Sequence, residues 1–295
     1  MTTIDLQRRF YAEEIETTSN LQNPAVVEAL ASVAREQFLP PGPWTIRGEA
    51  DFQSPPRKTA DADPRRVYHN VAIAIDPARM LFNGAPGLLA TAIDRLGLTA
   101  GMRVLHVGTG TGYYTAVMAH CVGPTGRVVG IEVDEPLAAA ARQKLASTPW
   151  VEMRLGNGAG PFDESFDAVL INAGVTHPLP EWIDALASSG RMVLPLTATM
   201  PQMGTIGKGP LVMLERTADT NVLDARVITF VAIYSAVGLR DDSVNTALGM
   251  SLAKNPFPPI KSLHREPHDP SPACWLHTAT CCFRLGISQT SERML

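Results

Sequence analysis

The sequence has no excess of basic charge, little cysteine and no long apolar run. It carries 25 Lys and Arg against 29 Asp and Glu in 295 residues, for a net charge of -4. No basic stripe is available to meet phosphates, which argues against a nucleic-acid partner. No apolar stretch approaches the ~20 residues that a membrane span needs, so no membrane partner is expected either. Met1 to Tyr11 carries Asp5, Arg8 and Arg9 and lacks an apolar signal-peptide core, so a cytoplasmic location is expected. Of the four cysteines, Cys121 stands mid-chain while Cys274, Cys281 and Cys282 crowd the tail, which is no disulfide framework. There is no internal repeat and no low-complexity tract. What remains is ordinary globular composition, 45% hydrophobic and 18% charged, long enough for one large domain or one domain plus an extension at ~150 residues per domain.

The periodicity predicts two helical pieces in the first forty residues, with Asn23-Pro24 opening the second. Residues 39–66 are rich in Pro, Gly and charge and read as a loop or lid. Val71 to Ile75 reads as a short strand. From Pro86 strand and helix alternate regularly. Helices are predicted at 86–96, 113–121, 135–146 and 179–187, and strands at 103–107, 127–133, 151–155, 166–172 and 191–196. Such alternation means a doubly wound α/β fold around a mostly parallel sheet. Leu211 to Arg216 and Arg226 to Ser235 have no helix between them and predict a terminal antiparallel hairpin. A helix at 242–254 and an irregular tail over 255–295 complete the reading.

The strongest motif is Gly108-Thr109-Gly110-Thr111-Gly112-Tyr113, which follows a predicted strand and opens a predicted helix. Glycines there let the backbone turn tightly and approach a ligand. The dinucleotide fingerprint needs G-x-G-x-x-G, whereas position 113 is Tyr, so a nicotinamide reading is weakened. The next strand ends in Glu132, where a carboxylate suits two ribose hydroxyls.

G-x-G-x-G with Glu after the next strand resembles the class I S-adenosylmethionine-dependent methyltransferases, and more narrowly the protein-L-isoaspartate O-methyltransferase family. The narrowing segment is Val33-Ala34-Arg35-Glu36-Gln37-Phe38-Leu39-Pro40, similar to that family's V-P-R-x-x-F-V-P. Gly126 to Glu132, Gly156-Asn157-Gly158, Phe166-Asp167-Ala168 and Gly190 to Pro195 add to it, so the resemblance covers about residues 24–200. It implies a Rossmann-like methyltransferase fold and S-adenosyl-L-methionine as cofactor. In that reading Gly108, Thr109, Gly110, Gly112 and Tyr113 surround the methionine part. Glu132 holds the ribose, Asn157 and Gly158 lie at the adenine, and Asn172 completes the cofactor site at the end of the fourth strand. His106 replaces the usual acidic residue of the first motif and need not touch the cofactor. Three regions follow: an N-terminal helical and lid region at 1–75, the S-adenosylmethionine-binding domain at 76–240, and a C-terminal extension at 241–295.

One family feature is missing. The isoaspartyl repair enzymes carry T-I-S-x-P before the first core helix, with hydroxyls beside the transferred methyl. The matching residues here are Phe82, Asn83, Gly84, Ala85 and Pro86, so both hydroxyls are gone. Asn83 and His177 are the candidate catalytic residues. Asn83 would orient an acceptor, and His177, in the loop after Asn172, could be a base for a hydroxyl or amine. Tyr68, His69 and Asn70 are further polar groups available to an acceptor, and Tyr114 is expected to pack its helix over the cofactor. The expected activity is methylation of a carboxylate, on a peptide or small molecule other than ordinary isoaspartate. The alternatives are genuine isoaspartate repair and a cofactor-binding module without catalysis. In the tail, His264, His268, Cys274, His277, Cys281 and Cys282 are residue types that suit zinc. Their spacing matches no common finger and no C-x-x-C pair is present, so burial of the cysteines around Trp275 is expected and no metal site is. The tail is expected to cover the active-site side or to make a homodimer contact.

Overall fold

The computed structural model describes residues 2–48, 54–199 and 204–286. The chain forms two compact units, Met1–Gly158 and Ala159–Leu295.

The first unit opens with α1 (Thr3–Ser19) and α2 (Pro24–Ser32). Thr2 and Asp5 form a reciprocal capping box on α1, and Asn23 accepts the Ala25 N–H with Pro24 at the first helical position of α2. A buried carboxylate ties their connection to α3 (Pro86–Leu96): Asp94 Oδ1 accepts the N–H groups of Gln22 and Asn23, each at 2.7 Å. The stretch predicted as a loop or lid carries strands instead. β1 (Thr45–Gly48) pairs antiparallel with β2 (Arg57–Lys58) and with β3 (Val71–Asp76), which in turn pairs with β4 (Leu81–Phe82). The prolines at 40, 41, 43, 55, 56 and 64 fall in the connections rather than in the paired residues, so they cost the ladder no donor.

The same unit holds a parallel layer. β5 (Arg103–Val107), β6 (Arg127–Glu132) and β7 (Val151–Leu155) run parallel in that order. Their intervening helices are α4 (Tyr113–Val122) and α5 (Glu135–Lys144). From Val104 to Val107 every residue of β5 is buried, as expected of a parallel strand covered on both faces.

In the second unit β8 (Phe166–Ile171) pairs parallel with β9 (Leu186–Pro195). The helix predicted between them is only α6 (Pro180–Asp184), because Leu186 already pairs with Phe166 and draws the following residues into β9. β10 (Ala198–Thr199) borders β11 (Ile206–Arg216), which pairs antiparallel with both β9 and β12 (Val222–Tyr234). The predicted hairpin is therefore present. It is also continued: after α7 (Asp242–Lys254), the tail read as irregular adds β13 (Ile260–His264), β14 (Cys274–His277) and β15 (Cys282–Leu285). β13 joins β12 through Val222 to Asp224, and β15 lies between β13 and β14. The result is an α/β fold with parallel strands followed by a run of antiparallel ones. Among the described residues, no helix is long and apolar enough to cross a membrane.

Candidate active site

The glycine loop leaves β5 at Val107 and enters α4 at Tyr113. Gly108, Gly110 and Gly112 all have positive φ, at 83°, 56° and 95°. A side chain at Gly112 would be strained by that φ, and its Cβ would sit 3.0 Å from Leu145 Cδ1. Glu132, ending β6, is 7% exposed and turns its carboxylate back onto the loop. Oε2 accepts the Gly110 N–H at 2.7 Å, while Oε1 accepts those of Val133 and Asp134 at 3.0 and 3.1 Å. Burial pushes the Glu132 pKa up, and these backbone donors pull against it and favour the anion. A carboxylate has about four acceptor sites, so three bonds leave room on Oε2 for an incoming hydroxyl.

The segment 33–40 underpins this loop. Thr111 donates to the Phe38 carbonyl at 2.5 Å, and the Phe38 and Tyr113 rings lie 5.9 Å apart. Arg35 is fully buried and donates to the carbonyls of Val67, His69 and Val71 at 2.6, 3.1 and 2.8 Å. One arginine thus fastens the backbone leading into β3, and its guanidinium lies over the Tyr113 ring at 5.8 Å. Tyr113 itself is 2% exposed with its hydroxyl 3.4 Å from that of Tyr11. The side chain is spent in the core, and only its backbone N–H at the start of α4 is left for a ligand. Thr109 is also buried, within the loop. Asn157 and Gly158 follow β7, with Gly158 at φ 78° and a Cβ there only 2.7 Å from Val107 Cγ1. The glycine loop, Glu132 and Asn157-Gly158 therefore belong to one unit, at the carboxyl ends of neighbouring parallel strands, where ligands bind in such sheets.

His106, on β5, is fully buried and its Nδ1 lies 2.9 Å from Thr115 Oγ1. Burial lowers its pKa to about 3, so the ring is neutral, and it faces α4 rather than the loop.

The acceptor-side segment is attached to the same loop. A Cβ at Gly110 would lie 3.1 Å from Ile75 Cδ1 on β3, and Tyr114 donates to the Gly84 carbonyl at 3.4 Å. Asn83 is held against β3 by two bonds: its N–H donates to Ile73 O at 2.9 Å, and its Oδ1 accepts the Ile73 N–H at 3.0 Å. The second bond fixes which end of the amide is which. Asn83 Nδ2 is left buried and without a partner. Gly84 has φ 78°, and a Cβ there would press to 2.7 Å from Leu89 Cδ2, so a serine could not take this position unstrained. The Phe82 ring lies under the Arg47 guanidinium at 5.3 Å.

Two of the other predicted acceptor groups, Tyr68 and Asn70, are engaged within the fold. The Tyr68 hydroxyl donates to Glu36 and accepts from Arg8 Nε and the Arg35 N–H. Asn70 Oδ1 caps α3 by accepting the Gly87 N–H at 2.8 Å, a cap invisible in the sequence because it comes from 17 residues away. His69 contributes its carbonyl to Arg35.

Asn172 and His177 belong to the second unit, after β8. His177 Nδ1 lies 2.9 Å from Thr176 Oγ1, and burial lowers its pKa despite the nearby Asp241. Sequence reasoning missed Arg240, which holds this loop. It donates to the carbonyls of Gly174 and Thr197, each at 2.7 Å, and to Asn245 Oδ1 on α7 at 2.6 Å. Nothing local marked it, since its partners come from three separate segments.

Comparison with known proteins adds to this geometry. The family model described as Protein-L-isoaspartate(D-aspartate) O-methyltransferase (PCMT) matches residues 52–231. A Protein-L-isoaspartate O-methyltransferase 2 of Polaromonas sp. is 32% identical over 234 residues, 76% of this chain and 95% of that protein. The Protein-L-isoaspartate O-methyltransferase of Aeropyrum pernix is 30% identical over 237 residues, 78% of this chain and 80% of that one. Among solved structures, a protein-L-isoaspartate O-methyltransferase superposes with TM-score 0.61 at 20% identity, covering 86% of this chain and 72% of its own. A Plasmodium falciparum chain, described as a beta-aspartate methyltransferase in complex with S-adenosyl-L-homocysteine, gives TM-score 0.56 at 17% identity, covering 78% and 97%.

Proposed function

This chain belongs to the protein-L-isoaspartate(D-aspartate) O-methyltransferase family and is an S-adenosylmethionine-dependent O-methyltransferase, and from that premise we propose that it methylates a carboxylate of a peptide or small acid other than ordinary isoaspartate. S-adenosyl-L-methionine, when bound, supplies an electrophilic sulfonium methyl. We assign Gly108, Thr109, Gly110 and Gly112, with the Tyr113 N–H, to its methionine part. Glu132 takes the ribose hydroxyls, and Asn157 and Gly158 the adenine. The left-handed loop glycines and the preoriented Glu132 carboxylate support that assignment.

The observation that carries the acceptor reading is Asn83 Nδ2, a buried donor with no partner. A donor without a basic group beside it complements an oxygen that is already anionic. An ionised carboxylate needs no proton removed, so catalysis reduces to holding one oxygen in line with the methyl and keeping water away. Asn83 does the first by donating, and Phe82 supports the second. The Arg47 guanidinium over Phe82 adds positive charge on the same segment. Gly84, where no serine fits unstrained, is what sets this acceptor apart from isoaspartate in the family's T-I-S-x-P setting. His177 is neutral near pH 7 and would matter only for a hydroxyl or amine acceptor.

Isoaspartate repair is the second reading, favoured by the names of the relatives at about 30% identity. The two are separated by offering labelled donor with an isoaspartyl peptide, the matching aspartyl peptide and a panel of small acids. Alkali-labile label released as methanol marks a carboxylate acceptor, and alkali-stable label would overturn it. Turnover confined to the isoaspartyl peptide would establish repair instead.

A further inference from the structure

The tail residues passed over for want of a familiar spacing meet in space. β14 and β15 form a hairpin in which His277 stands opposite Cys282. Cys274 opens β14, and His268 comes from the connection between β13 and β14. The ligand atoms of His268, Cys274, His277 and Cys282 all lie within 4.8 Å of one another. His268 Nε2 is 3.5 Å from Cys274 Sγ, and the His268 and His277 rings meet edge to face with centroids 4.8 Å apart. A tetrahedral centre with Zn–S near 2.3 Å and Zn–N near 2.0 Å holds its ligand atoms roughly 3.3–3.8 Å apart, so a contraction of about 1 Å closes the cluster.

The surroundings select these four from the histidines and cysteines of the tail. His268 Nδ1 lies 2.8 Å from the Glu266 carbonyl, which places the proton there and leaves Nε2 as the free lone pair. This is the outer bond that metal-bound histidines characteristically make. His277 Nδ1 is buried with no partner. Cys281, adjacent to Cys282, faces Thr278 instead, and His264 Nε2 is taken up by Ser262. Among the described residues, no carboxylate joins the set.

We propose that His268, Cys274, His277 and Cys282 bind one zinc ion in a closed, structural Cys2His2 site. Two thiolates and two imidazoles suit zinc, and four protein ligands leave no position for a substrate or a reactive water. Binding displaces the two thiol protons, which pass to solvent. The site answers a local need. β14 has four residues and, among the described residues, pairs with β15 alone, so it is a short edge strand with little of its own to hold it. The connection leading to it carries Pro267, Pro270 and Pro272 and forms neither helix nor strand from 265 to 273. The ion would staple that connection to the hairpin and guard the terminal strands of the sheet.

The full-length chain, produced with zinc in the medium and purified without chelator, should carry about one zinc per chain by elemental mass spectrometry. The paired variant Cys274→Ser/Cys282→Ser should lose it, while Cys281→Ser and His264→Gln should keep it. Because the paired variant could misfold, the wild-type chain gives a second readout. Stripped and reloaded with cobalt(II), it should show the visible bands of a tetrahedral ion with thiolate charge transfer in the near ultraviolet. Absence of stoichiometric zinc both as purified and after reloading would overturn the proposal. So would equal zinc in the paired variant, or a Cys274–Cys282 disulfide in the freshly purified chain.

Discussion

In the glycine loop the groups suited to the methyl donor are backbone groups and one carboxylate whose oxygens are already held by N–H donors. In the Phe82–Gly84 segment, a few ångströms of packing away through Ile75 and Tyr114, the group suited to the acceptor is a single side-chain amide left unpaired. The difference matters for how each side can change. A backbone cradle keeps its chemistry under most substitutions around it, provided the glycines stay. A side-chain site changes its ligand with one residue. The donor side of this chain accordingly keeps the family's loop glycines and carboxylate, with His106 as a departure that faces away from the loop, while the acceptor side departs at the two hydroxyl positions that flank Asn83.

The largest test of that contrast is Glu132→Ala. It should weaken S-adenosylhomocysteine binding by roughly 2–4 kcal/mol, on the order of 30- to 1000-fold, through loss of charge-assisted bonds to the ribose. Calorimetric titration reads it, and unchanged affinity would remove Glu132 from the donor site. Next comes acid. His106 beneath the loop titrates near 6.5 when unfolded but about 3 when folded, so the unfolded chain binds the extra proton between those values. Stability should therefore fall as pH drops below 6.5, by about 3 kcal/mol at pH 4 from this group. His106→Gln should flatten that part of a denaturation series, and an unaltered slope would show that the ring is not buried neutral.

Asn83→Ala should separate the two sides most sharply. Losing one hydrogen bond to a charged oxygen predicts about a ten- to hundredfold fall in kcat/KM for the acceptor, with donor affinity unchanged. A parallel loss of donor affinity would mean that the two sides are not independent. The smallest effect is expected at His177. With an ionised acceptor there is no proton to take, so His177→Gln should cost less than about threefold, and the wild-type kcat/KM should be flat from about pH 6 to 8. A base would behave differently. Burial lowers its pKa, so activity would decline only on the acid side of the ordinary imidazole range, and the substitution would abolish that limb.

Much of the frame was readable in advance because it rests on local rules. Pro86–Leu96 and Arg103–Val107 lie where proline placement and an apolar run put them, and Asp242–Lys254 spans the helix expected there. The glycine loop was legible for the same reason, since positive φ at Gly108, Gly110 and Gly112 is a property of each residue. Elements whose stability comes from distant partners were not. β1 and β2 sit among prolines and charge, and β13 to β15 follow a Pro- and His-containing stretch. They are strands because β3 and β12 offer them edges. The candidate site divides in the same way. Glu132 could be named from its place after a strand, whereas the engagement of Tyr68 and Asn70, and the anchoring by Arg240, depend on residues far along the chain.

The sequence by itself determined the α/β alternation, the glycine loop with its carboxylate, and the absence of the two acceptor hydroxyls, because each is written in residue type and short-range spacing. Only the tertiary structure decided that Asn83 keeps an unpaired donor, that Gly84 excludes a serine, and that two histidines and two cysteines converge in the tail. Those facts depend on which backbone groups are already satisfied and on which strands lie side by side, and neither is a property of neighbouring letters.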